Sequence, residues 1–233
     1  MSDVFVLIHA PLVGPSTWRW VAEELTDARV VVPDLHAGAE EPAFDTYVRR
    51  IAEAIPTGAD VILVGHSGAG VLLPFAAEEA NAEHVTYVFA DAGLPPLHGN
   101  TLEEHPVMKA AGIGWNGRPS FAHLVEPDGH LPPWHTWWGD DGMTRLVPDA
   151  DRRAFVCRDV PRLPLTFWDQ GADVPVDWAS SPASYLLFSD NYRLWADAAG
   201  SYGWPVEEVA GTHLELVNRP GDVAAAITRV ARA

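Results

Sequence analysis

Val61-Ile62-Leu63-Val64-Gly65-His66-Ser67-Gly68-Ala69-Gly70 carries four apolar, mostly β-branched residues into a turn of small residues around one serine. A helix-like segment follows. Such a strand–turn–helix lifts the serine hydroxyl to a point where a substrate can reach it, and its cramped geometry admits only small neighbours. The pattern is that of a nucleophile elbow, G-x-S-x-G, with Ala69 in place of the last glycine. A phosphate cradle is the competing reading. No lysine follows to make a P-loop, and the glycine spacing does not fit G-x-G-x-x-G.

The residues on either side repeat strand and helix. Val4 to Ile8 is continuously apolar, as expected of a strand buried on both faces. A helix is predicted over Trp18 to Leu25, a strand over Arg29 to Leu35 and a helix from Ala43 to Ile55, where Phe44, Tyr47, Val48 and Ile51 share one face. The helix after the elbow should run from Gly68 to Ala80 and kink at Pro74. His84 to Ala90 is a further apolar strand ending at Asp91. Short connections between alternating elements imply parallel pairing, so functional groups should gather at the carboxyl ends of the strands. His9, Asp34, Ser67 and Asp91 stand at such ends.

From Leu94 to Ser181 the strand signals stop, and Pro, Gly, Trp and His accumulate. One amphipathic helix is predicted between Met143 and Val160. So long a segment reads as an inserted cap rather than a loop. Sheet-like text returns at Tyr185 to Phe188, followed by a helix near Leu194 to Ala199, a strand at Val206 to Val209 and a closing helix from Asp222 to Ala231. The expected organisation is a core of residues 1–93 and 182–233 with a cap of residues 94–181.

The chain has 233 residues and a net charge of −17. That charge argues against nucleic acid or anionic membranes as partners, which require clustered Lys and Arg. The lone Cys157 excludes an internal disulfide. No apolar stretch approaches the ~18 residues of a membrane span, and no leader-like N-terminus is apparent, so the expected location is the cytoplasm.

A raised serine needs a base. Of ten histidines, His213 sits between the last strand and the last helix, at the carboxyl edge where it can lean over Ser67. His66 should point away from its neighbour, and His9 should brace the loop after the first strand. Taken together, His9-Ala10, Trp18, Val32-Pro33-Asp34-Leu35, Gly65 to Gly70, Gly211-Thr212-His213 and Asn218-Arg219-Pro220 resemble the α/β-hydrolase superfamily in its small esterase-like form. The resemblance implies a three-layer α/β/α sandwich with a mainly parallel sheet and a Ser-His-acid triad.

The resemblance leaves two positions for the acid. The usual place follows the strand before the His-bearing one, where Tyr192 stands and Asp190 falls two residues early. A variant takes the acid from the end of the strand just after the elbow, which is Asp91. Asp91 is the expected acid and Asp190 the alternative. The oxyanion donors implied are the N–H of Gly68 and one from the loop after the first strand. Pro11 has no N–H, which leaves Leu12. Without a second donor, acyl transfer would slow by about 10²–10³.

The resulting expectation is a cofactor-independent serine hydrolase acting on an ester or thioester of a hydrophobic small molecule. Trp115, Trp134, Trp137, Trp138, Trp168 and Trp178 would make a flat-walled aromatic pocket or, as the alternative, the cap's own core. A lyase, isomerase or cyclase on the same scaffold, or a binding protein with a vestigial triad, are the alternatives. His123, His130 and His135 with Asp128, Asp140 and Asp141 show no metal-ligand spacing, so no metal is expected. Oligomeric state is left open.

Overall fold

The computed structural model describes residues 3–38, 43–97, 121–168 and 173–233, the side chains of Asp140 and Trp168 excepted. In chain order the main elements are β1 (Val4–Ile8), α1 (Arg19–Glu24), β2 (Arg29–Val31), α2 (Phe44–Ala54), β3 (Asp60–His66), α3 (Leu73–Glu79) and β4 (His84–Ala90). After them come α4 (Gly139–Leu146), α5 (Ala150–Val156), β5 (Ala183–Leu187), α6 (Arg193–Ser201), β6 (Val206–Glu208), α7 (Glu215–Asn218) and α8 (Pro220–Val230). Among the described residues six strands form one sheet, all paired in parallel, in the order β2-β1-β3-β4-β5-β6.

Strand alternation divides the interior into two layers. Val6, Ile8, Leu63, Tyr87, Phe89 and Leu187 face α2, α3 and α6. Phe5, Leu7, Ile62, Val64, Val88 and Leu186 face α1, α7 and α8. Both faces of β1 and β3 are covered, which explains why these strands read as unbroken apolar runs. The result is a three-layer α/β/α sandwich. From β1 the chain steps outward to β2 and then returns past β1 to β3. The crevice above β1 and β3 is therefore the topological switch point, where open parallel sheets bind ligands.

Several boundaries differ from expectation, each for a local reason. β2 ends at Val31 rather than Leu35; Pro33 offers no N–H to extend an edge ladder. The segment after the elbow opens as a 3-10 turn, Ser67–Leu72, before α3 begins. Pro74 thus lies in the first turn of α3, where its missing N–H has no intrahelical partner to lose, and no kink results. The helix expected at Trp18 is likewise a 3-10 turn, Pro15–Trp18, leading into α1. The single helix expected between Met143 and Val160 is two, α4 and α5. Pro148 separates them, and Asp149 caps α5 by accepting the Arg152 N–H at 2.9 Å.

The stretch between β4 and β5 is tied to the sheet loops by polar contacts. Asp159 accepts both the N–H and the hydroxyl of Ser16, at 2.9 and 2.6 Å. The Leu146 carbonyl accepts from Thr212 Oγ1 at 2.8 Å and from Asn218 Nδ2 at 2.9 Å, which fixes the end of α4 against the loop carrying His213.

Candidate active site

β3 ends at His66 in extended conformation, and Ser67 turns abruptly with φ of +55°. A non-glycine residue in this left-handed region is uncommon and marks stored strain. The elbow must also pass close to its neighbours. A Cβ on Gly70 would lie 2.3 Å from the Gly93 carbonyl, and one on Gly65 would lie 3.1 Å from Gly70 Cα. Ala69, the departure from the expected glycine, is fully buried in the core, so its methyl packs there without obstructing the turn. The Ser67 carbonyl accepts the Gly93 N–H at 3.1 Å, fastening the elbow to the turn after β4.

That turn carries Asp91, wholly buried and itself at φ +45°. Its distortion is braced by Tyr185, whose hydroxyl donates to the Ala92 carbonyl at 2.9 Å and accepts the Ala92 N–H at 3.0 Å. Asp91 Oδ1 accepts the N–H groups of Phe188 and Ser189 at 2.8 and 3.0 Å. Its Oδ2 accepts the Ser189 hydroxyl and His213 Nδ1, both at 2.7 Å. Burial alone would raise the carboxyl pKa; the hydrogen bonds from His213 and Ser189 outweigh it and hold the group below the usual carboxylate range. A buried anion so fully satisfied is a fixed acceptor.

His213 therefore carries its Nδ1 proton toward Asp91, leaving the Nε2 lone pair outward. The loop bearing it is ordered by Glu215, buried, which accepts the Thr212 N–H at 2.8 Å and pairs with Arg219. From below, His66 Nε2 donates to the His213 carbonyl at 2.9 Å, and the two rings lie 4.5 Å apart. Burial first, and the neighbouring His213 second, lower the His66 pKa to about 3, so it stays a neutral brace. His9 plays a similar part between the β1 and β2 loops: its Nε2 accepts the Leu35 N–H at 3.1 Å and its Nδ1 meets the Ala10 carbonyl at 2.9 Å.

Ser67 and His213 line one cavity of about 500 Å³, together with Leu12, Trp134, Trp137 and Tyr192. The Ser67 hydroxyl is hydrogen-bonded not to His213 but to the Tyr192 hydroxyl, at 2.9 Å. The Tyr192 ring lies flat on the imidazole, with centroids 4.7 Å apart and planes 4° from parallel. The alternative acid, Asp190, is not brought to His213; its side chain is 93% exposed and pairs with Arg193 at 3.1 Å.

Gly68 is exposed beside Ser67, and the turn after β1 presses against it: a Cβ on Gly68 would come 3.2 Å from Pro11 Cδ. This turn closes by the Val13 N–H donating to the Ala10 carbonyl at 3.1 Å, which leaves the Leu12 N–H outside the turn's own bonding. Of the aromatics expected to wall the pocket, Trp134, Trp137 and Trp138 do so, joined by Phe121. Trp178 does not. It is buried against Tyr87, Phe89 and Trp204, with its Nε1 donating to the Pro96 carbonyl at 2.9 Å. Trp115 and the side chains of Trp168 and Asp140 lie outside the described residues. Among the described residues no three histidine, cysteine or acidic side chains converge as a metal site requires, and no helix is long and apolar enough to cross a membrane.

Sequence reasoning noticed Tyr192 only as the residue standing where an acid was sought. Ser189 was missed because its partner Asp91 is brought to it only by tertiary packing; Glu215 was missed although Thr212-x-x-Glu215 has capping-box spacing and Arg219 follows four residues on.

The family model described as "Alpha/beta hydrolase family" matches residues 5–226. The chain belongs to the α/β-hydrolase family. It is accordingly a hydrolase enzyme. This hydrolase is 27% identical over 257 residues to the carbendazim hydrolyzing esterase of Nocardioides sp. (strain SG-4G), covering 94% of this chain and 96% of that one. Among solved structures it is similar to an extracellular α/β-hydrolase from a Paenibacillus species that shares structural and functional homology with tobacco salicylic acid binding protein 2. There the TM-score is 0.75 and the identity 20%, over 99% of each chain. It is also similar to a pyrethroid hydrolase from Sphingobium faniae JZ-2, with a TM-score of 0.73 and 18% identity over 100% of this chain and 98% of that one. Those two likenesses establish the fold.

Proposed function

We propose that this hydrolase is a serine esterase that cleaves an ester or thioester of an apolar, ring-bearing small molecule through an acyl-enzyme on Ser67. The observation that carries the reading is the buried Asp91 carboxylate bonded at 2.7 Å to His213, whose ring shares a cavity with the strained Ser67. The esterase and hydrolase names of the relatives support it.

In this mechanism Ser67 Oγ attacks the carbonyl carbon while His213 Nε2 takes its proton, and Asp91 stabilises the imidazolium that forms. The N–H groups of Gly68 and Leu12 hold the oxyanion. His213 then protonates the leaving group, and water enters by the reverse sequence to release the acid. Residues 94–181 act as the cap, with Phe121, Trp134, Trp137 and Trp138 offering flat apolar faces to the substrate. The chemistry calls for no cofactor.

Ser67→Ala should abolish ester turnover and covalent labelling by a fluorophosphonate probe, with the fold retained. Labelling that persists in the variant would remove Ser67 from the role. Product analysis separates the alternatives: a lyase, isomerase or cyclase releases no acid–alcohol pair, and a binding protein turns nothing over.

A further inference from the structure

We infer that the Tyr192 hydroxyl is a catalytic hydrogen-bond donor to Ser67 Oγ, acting chiefly as that oxygen leaves the acyl group. The inference rests on the acyl-enzyme reading above and adds a fourth side chain to it.

The geometry is direct. Tyr192 Oη lies 2.9 Å from Ser67 Oγ, and its ring is held parallel to the imidazole. The hydroxyl therefore reaches Oγ from the flank of the base. Burial pushes its pKa up to about 12, with the Ser67 hydrogen bond pulling the other way, so at neutral pH the phenol keeps its proton and can donate. While Ser67 keeps its proton, either hydroxyl can be the donor. Once Ser67 is acylated, Oγ has no proton, and the bond can persist only with Tyr192 donating.

An ester oxygen is a weak acceptor, whereas a departing alkoxide is a strong one. When the second tetrahedral intermediate collapses, the C–Oγ bond breaks and its electron pair passes to Oγ. His213 returns to Oγ the proton it took from water, and Tyr192 retains its own. The hydrogen bond thus strengthens between the acyl-enzyme and the transition state, which is the condition for accelerating a step. In acylation the serine starts as a hydroxyl already bonded to Tyr192, and a hydroxyl is a better acceptor than the acyl ester oxygen, so part of the effect cancels between ground and transition state and acylation gains less.

Tyr192→Phe removes the hydroxyl and keeps the ring against His213. With 4-nitrophenyl benzoate in a rapid-mixing experiment, the nitrophenolate burst reads acylation and its amplitude counts folded, competent sites. Decay of benzoyl-Ser67 by intact mass reads deacylation. The variant should release the benzoyl group about 10- to 100-fold more slowly, with acylation per competent site slowed by a clearly smaller factor, about tenfold at most. Unchanged release overturns the inference. Equal slowing of both steps also overturns it, and makes Tyr192 a positioning residue. Nitrophenolate release that persists at the parent rate in Ser67→Ala overturns the covalent mechanism itself, and the inference with it.

Discussion

Asp91→Asn tests the wiring of the site more sharply than any other single change. Asp91 Oδ1 accepts two backbone N–H groups, at 2.8 and 3.0 Å, and both donors are obligatory. In the variant the amide oxygen must therefore occupy the Oδ1 position, which puts the NH₂ where Oδ2 now meets His213 Nδ1 at 2.7 Å. An NH₂ group only donates, so the imidazole must present an unprotonated Nδ1 and move its proton to Nε2. That nitrogen can then no longer take the Ser67 proton. An inverted tautomer of this kind costs about 10⁴ in kcat, or about 5 kcal/mol of barrier. The measurement is kcat on a 4-nitrophenyl ester for Asp91→Asn beside Asp190→Asn, with fluorophosphonate labelling rates for both. Asp190 is exposed and pairs with Arg193, so its variant should stay within about twofold of the parent. If Asp91→Asn kept more than a tenth of the activity, or Asp190→Asn lost orders of magnitude, the assignment of the acid would be wrong.

Two further outcomes concern the scaffold. His9 and His66 are wholly buried, and burial above all lowers the pKa of each to about 3, against about 6.5 unfolded. Because the folded values are depressed, this stability is complete above about pH 6.5 and erodes as pH falls toward 3. The two should together cost about 4 kcal/mol between pH 7 and pH 5. The lowered Asp91 pKa adds nothing in that window, since its contribution is lost only below about pH 4. Urea unfolding across this range measures the slope, and a flat profile would contradict neutral burial of these rings. Separately, Gly70→Ala drives a methyl to 2.3 Å from the Gly93 carbonyl. It should cost at least about 3 kcal/mol and lower the melting temperature by roughly 6–12 °C; an unshifted melting curve would show that the elbow has slack.

Much of this was legible because it depends on local covalent constraints. The run Val61 to Val64 can only be a doubly buried strand, and the small residues after it can only be a tight turn. β4 was read to the residue because its apolar run is bounded by a charged glutamate and a strand-ending aspartate. The place of His213, beside Asp91 and in the same cavity as Ser67, was legible from strand order, elbow and terminal loop taken together. Elements at the sheet edges were harder: β2 and β6 are three residues each, and packing rather than periodicity sets their ends. The contact between Tyr192 and Ser67 spans 125 residues and arises from the register of β5 against β4, which no pattern in a single chain records. The same holds for Trp178, which reads as one more aromatic of the inserted segment until the fold sends it inward.

The candidate reactive groups of this enzyme follow strand ends, whereas Phe121, Trp134, Trp137 and Trp138 of the aromatic wall come from one continuous piece of chain. What the enzyme accepts and how it reacts are thus written in separable passages of sequence. Grafting that piece from a relative with a different diet should retarget the catalyst while leaving its reactive machinery in register.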